Sequence, residues 1–199
     1  SARSRPSTRP VHAAMAIRDN LSDLQARLAE RVAAARALPA KTAWLAVECG
    51  GHGLLFPLDQ AGQIFTLAPL VRVAHAKPWF AGVASLRGEL HGVVDLAAFL
   101  GLGPTPIAEG VREQARLVAF SARSGLNCAL LVGRLAGLRN ADQLQALQSD
   151  PATAEDPAGH VRARPPFAGD RYFDRDGRVW QELLLTRLAE APQFLSIVA

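Results

Sequence analysis

Ser85, His91 and Asp95 stand within eleven residues of one another, and a serine, a histidine and a carboxylate are the groups of an acyl-transfer triad. The stretch around them is strand-like. At a period of two, His91 and Asp95 share a face four residues apart, with Asp95 at the strand's end. A working triad needs an oriented Ser–His hydrogen bond and an oxyanion hole, and no Gly-x-Ser-x-Gly elbow occurs. The other candidates fail on spacing. Gly50-Gly51-His52-Gly53 lacks the Gly-Lys-Ser/Thr ending of a phosphate loop and reads as a hairpin turn. Gly101-Leu102-Gly103 follows a short helix instead of opening one, the wrong order for a dinucleotide site. Asp174-Arg175-Asp176-Gly177 begins like a calcium loop but lacks the later ligands and the closing Glu, so it too reads as a turn. Cys49 and Cys128 lie in apolar runs without a second Cys or a His at ligand spacing, and are expected to be reduced, buried thiols. The sequence therefore predicts no enzyme, no cofactor and no metal site.

What remains is a chain suited to burying surface. Of its 199 residues 49% are hydrophobic and 20% charged, which supports a sizeable core and argues against compositional disorder. The net charge of +4 is carried entirely by residues 1–38, where seven Arg face three acidic groups, while residues 39–199 balance to zero. A nucleic-acid-binding fold carries its excess charge on the folded face, so nucleic acid is not an expected partner. No run approaches the roughly 18 apolar residues of a membrane span, and no signal-peptide pattern opens the chain. The expected location is the cytoplasm, with no direct membrane insertion.

The elements that hold the candidate residues can be read from period and punctuation. Residues 1–14 read as a disordered leader or tag remnant, with Met15 a natural start. Ile17, Leu21, Leu24, Leu28, Val32 and Ala35 recur at steps of three and four, which predicts an amphipathic helix over 15–39, ended by Pro39. The third unit, 40–199, opens with a hairpin: Trp44 to Cys49, the glycine-rich turn, and Leu54 to Leu58. Short strands are expected at Ile64–Leu67, Leu70–Val73, Leu90–Val94, Arg116–Ser121, Leu126–Val132, Leu135–Leu138, Tyr172–Phe173 and Val179–Leu184. A short helix is expected at Leu96–Leu100 and another at the end of the chain. Residues 140–167, polar and proline-bearing, read as helix turn and loop. Leu45-x-Val47 with Gly53-Leu54-x-x-x-Leu58 is echoed 72 residues later by Leu117-x-Ala119 with Gly125-Leu126-x-x-x-Leu130. Two similar hairpins, each opening a set of short strands, suit two small β-barrels packed together.

These residues carry a resemblance. The opening hairpin is followed by Pro78-Trp79-Phe80-x-Gly82-Val83, then Ser85-Leu86-Arg87-Gly88, then Val93-Val94-Asp95-Leu96, in the order and spacing of CheW-type chemotaxis coupling proteins. The likeness covers about residues 41–190. It implies a mainly β fold of two SH3-like β-barrels packed on a hydrophobic seam, here with an added N-terminal helix and a short terminal helix. It further implies a non-enzymatic adaptor, monomeric in isolation, that joins the cytoplasmic tip of a chemoreceptor to the regulatory domain of a histidine kinase in membrane receptor arrays. By carry-over Arg87 is the corner residue next to the partner surfaces, Gly82 and Gly88 permit the turns, and Ser85 and Gln63 belong to the same partner-binding set. Ser85 stands where the family usually has Asn, Gly92 where it has Pro, and Gln63 where an acidic residue is common. These departures, with the N-terminal helix and the Trp180-x-x-Leu-Leu ending, resemble the PilI-like branch that serves type IV pilus twitching motility. A stand-alone peptide- or ligand-binding double barrel is the alternative, and an open pocket in the seam would mark it. Asp95 is read either as a cap of the helix that follows it or as a partner contact.

Overall fold

Two β-sheets are built by hairpins that exchange their neighbours. The computed structural model describes residues 43–107, 112–147, 153–155 and 161–199, so the leader expected at 1–14 and the helix expected at 15–39 lie outside the described residues. The first hairpin pairs β1 (Ala43–Cys49) with β2 (His52–Pro57), and only Gly50 and Gly51 form its turn, since Cys49 lies opposite His52. A second antiparallel pair joins β6 (Arg116–Phe120) to β7 (Cys128–Val132).

Each hairpin sits at the centre of a sheet completed largely by strands that follow the other hairpin. The five-stranded sheet runs β3-β6-β7-β5-β4, with β3 (Ala61–Thr66), β4 (Phe80–Leu86) and β5 (Glu89–Asp95) all following the first hairpin. The six-stranded sheet runs β8-β1-β2-β13-β12-β9, and β8 (Arg134–Asn140), β9 (Leu144–Leu147), β12 (Ala168–Asp174) and β13 (Val179–Leu183) all follow the second. In both sheets the second hairpin strand takes a parallel neighbour, β13 beside β2 and β5 beside β7. The two hairpins hold like places in the two sheets, but the 72-residue echo does not superpose them. Leu45 faces the seam whereas Leu117 faces the outer cluster of its own sheet, and it is Val118 and Phe120 that turn to the seam. The second strands are out of step as well, since Phe56 lies opposite Leu45 and Leu131 opposite Leu117.

Period two explains the packing, because both faces of the central strands are buried. On β1, Trp44 and Ala46 enter a cluster with Leu55, Leu144 and Trp180, while Leu45, Val47 and Cys49 face the opposite way. On β6, Leu117 and Ala119 join Ala84, Leu86 and Val93, while Val118 and Phe120 turn to meet Leu45 and Val47. The largest cluster is therefore the seam between the two sheets, and each sheet closes a smaller cluster on its other side. This is the mainly β, two-sheet fold with a hydrophobic seam that the sequence predicts.

The short helices cap the seam. α1 (Leu96–Phe99) buries Leu96 and Ala97 there, and α2 (Leu185–Glu190) and α3 (Pro192–Leu195) bury Leu185, Leu188 and Phe194. Phe194 stacks on Trp79 at 6.3 Å between ring centroids and meets Phe99 edge-on at 5.3 Å. Phe120 completes the cluster at 5.7 Å from Phe194. Cys49 and Cys128 are buried free thiols, each pushed up to about 12 by burial.

Polar groups fix the rim of the six-stranded sheet. Glu48 on β1 accepts two hydrogen bonds from Arg134 at 2.6 and 2.7 Å, and a further one from Arg178. The Arg134 bonds hold its carboxyl below the usual glutamate range; burial opposes them and Arg178 adds to them. Asp174 accepts from Trp180 Nε1 at 2.9 Å and from the backbone N–H groups of Asp176 and Arg178, so the Asp174–Gly177 segment is a turn, as expected.

Two expectations need correcting. Leu70–Val73 is not a strand but a single bridge, Val71 to Val83, made where the chain crosses the edge of β4. In 140–167 the expected helix turn is the 3-10 turn at Ala141–Gln143, but the expected loop carries strands: β9 follows the turn, and β10 (Thr153–Glu155) pairs with β11 (Val161–Ala163). Their shortness hid these strands: β9 has four residues, of which only Leu144 is buried, and β10 and β11 have three each.

Candidate functional site

The turn between β4 and β5 holds the most unusual backbone in the partner-binding set. Leu86 lies opposite Glu89, leaving a two-residue turn of Arg87 and Gly88 with φ of +51° and +85°. Two successive positive φ values define a type I′ turn, for which Asn-Gly is the favoured pair. Gly88 meets that demand without strain, and nothing lies within 4 Å of where its Cβ would be. Arg87 does not: a left-handed conformation costs a residue with a Cβ roughly 1–2 kcal/mol. Its guanidinium lies 5.9 Å over the ring of Phe65, and its side chain is exposed. An exposed cation–π contact contributes about 0.5–1 kcal/mol, which at best offsets part of the strain.

Arg87 and Gln63 line one groove of about 560 Å³ at this end of the five-stranded sheet. Phe65, Glu89 and His91 also line it, with the Phe65 and His91 rings 6.5 Å apart. Phe65 was not singled out from the sequence, and His91 only as a member of the rejected triad. β3 and β4 are the two edges of the sheet, so Phe65 meets Arg87 through the closure of the sheet, which no local pattern announces.

The remaining members of the set fall elsewhere. Gly88 is at the turn's tip. Ser85 is exposed on the outer side of β4, opposite Leu90, which is itself 69% exposed. Gly82 is buried at a register shift in β4, with φ of +135°. A Cβ there would lie 2.3 Å from the carbonyl oxygen of Val71, so the position admits the crossing chain. Gly82 thus lies inside the sheet that carries Arg87 and is not on its surface.

The triad residues are held apart. Ser85 pairs with Leu90 and Ala84 with His91, so Ser85 and His91 point to opposite faces of the hairpin. His91 Nδ1 is 3.3 Å from the Glu89 carbonyl oxygen. Asp95 is only 7% exposed, and its carboxylate accepts from the Ala98 N–H at 3.3 Å, the Thr105 N–H at 2.7 Å and the Thr105 hydroxyl at 2.6 Å. It caps α1 and ties down the loop that follows.

Comparison with known proteins agrees with this geometry. Residues 43–171, more than half of the chain, match the family described as CheW-like domain. Protein PilI from Pseudomonas aeruginosa is 30% identical over 69 residues, covering 35% of this chain and 36% of PilI. The match thus spans little more than a third of that protein's length. The crystal structure of the scaffolding protein TtCheW from Thermoanaerobacter tengcongensis superposes with a TM-score of 0.52 at 12% identity, covering 72% of this chain and 88% of TtCheW. At that identity the likeness is one of fold.

Proposed function

The chain belongs to the CheW-like domain family, and from that premise we propose that it is a non-enzymatic adaptor coupling a chemoreceptor's cytoplasmic tip to the regulatory domain of a chemotaxis-class histidine kinase. The partial likeness to PilI favours a twitching-motility system driven by type IV pili as its setting. Among the described residues no helix is long and apolar enough to cross a membrane, so on this reading arrays recruit the chain through the receptor.

One observation carries the proposal: a strained, exposed arginine at the tip of a hairpin whose turn would be better served by asparagine. The Phe65 contact returns part of that strain, and what is left, at an exposed side chain, points to use by a partner. The alternative, a module with a ligand pocket in the seam, is disfavoured because rings of Trp79, Phe99, Phe120, Phe167 and Phe194 fill that space.

Arg87→Asn separates the two roles of the position. The variant is expected to be as stable as the parent or more stable by up to about 1 kcal/mol, relieved strain being set against the lost Phe65 contact, while its affinity for the receptor tip or the kinase regulatory domain falls at least tenfold. Thermal melts and isothermal titration measure both. Unchanged affinity for both partners would leave Arg87 a turn residue and remove the main support for the proposal.

A further inference from the structure

A second groove opens at the other end of the β4–β5 hairpin, with a volume of about 650 Å³. One groove is lined by Leu86, Arg87 and Glu89, the other by Phe80, Ala81 and Asp95. The seven-residue length of β4 separates them by roughly 20 Å at the usual rise per residue. The second groove therefore lies on a face that the Arg87 site does not use.

Its lining is apolar at the centre and cationic at the edge. Leu70 and Phe80 form part of the floor, and Val73 and Ile107 stand at the lips, 46% and 51% exposed. Arg72, Lys77 and Arg112 contribute three positive charges. Among the described residues the lining includes one carboxylate, Asp95, and Thr105 and Ala98 already occupy it. Three cations against one buried carboxylate leave an excess of positive charge around an exposed apolar strip.

The wall is held in place by the chain's end. Lys77 N–H donates to the Ile197 carbonyl at 2.8 Å, Ala199 N–H donates to the His75 carbonyl at 2.8 Å, and Ala76 bridges to Val198. Lys77 Nζ also lies 3.5 Å from Ser196 Oγ. A wall fixed by backbone pairing lowers the ordering cost of binding.

We propose that this groove docks an acidic amphipathic segment of a partner protein, with apolar side chains against Val73, Phe80 and Ile107 and carboxylates facing Arg72 and Arg112. Charge complementarity selects the occupant: a neutral apolar segment leaves the cations unpaired, and a basic one is repelled. The groove makes the chain two-sided, with one docking face at each end of the same hairpin.

The test uses a displayed random-peptide library selected on the full chain, so it does not depend on which receptor or kinase the chain serves. Recovered peptides are then measured on Arg72→Glu/Arg112→Glu and, separately, on Ile107→Asp, each first shown to melt as the parent does. Peptides are expected to carry two or more carboxylates beside apolar residues, to bind the double variant and Ile107→Asp at least tenfold more weakly, and to weaken as salt is raised. Neutral or basic peptides, or peptides that bind parent and variants alike, would overturn the proposal.

Discussion

Phe194→Ala is expected to cost about 4 kcal/mol of folding stability, the range for removing a phenyl ring from a packed core. Phe194 is 3% exposed and lies among Trp79, Phe99 and Phe120, so few atoms can move in to fill the space. The ring is also what fastens α3 to the seam, because α3 buries only this residue. For a body of this size the loss corresponds to a fall in melting temperature of roughly 10 °C. Denaturant titration of parent and variant gives the figure directly. A loss below about 1 kcal/mol would mean that the seam relaxes around the gap, and that the chain's end contributes little to it.

Asp95→Ala is the second large effect, expected at about 3 kcal/mol. The substitution removes the cap of α1, which by itself contributes about 1 kcal/mol. It also leaves the N–H and hydroxyl of buried Thr105 without their acceptor, at about 1–3 kcal/mol for each group that water cannot reach. Asp95→Asn keeps an acceptor and is expected to lose less. Because Asp95 is enclosed, partner affinity measured well below the melting temperature is expected to stay within twofold of the parent. A stable Asp95→Ala variant with weakened partner binding would reverse the assignment and make this residue part of the docking surface.

The sequence was informative where physics is local. The β1–β2 hairpin follows from two apolar runs about a glycine pair, and the Asp95 cap from a carboxylate just before an apolar turn of helix. The interleaving of the two sheets was not legible, because β3 with β6 and β8 with β1 are pairings between distant segments that no period announces. The echo pointed to two hairpins but not to their register, because Leu45 faces the seam and Leu117 faces away from it. At the site, the likeness to known coupling proteins identified Arg87 and Gln63, which share a groove, and grouped with them Gly82, which lies inside the sheet. What the residues alone could not reveal was the left-handed backbone at Arg87, since most type I′ turns advertise themselves by Asn or Gly at that place.

The adaptor reading is tested most directly by sedimentation of the full chain mixed with a receptor cytoplasmic tip and a kinase regulatory domain from the same organism. A species containing all three, absent when this chain is left out, is the predicted result. No association with either partner at about 100 μM, where even a weak interface of this kind is populated, would contradict it.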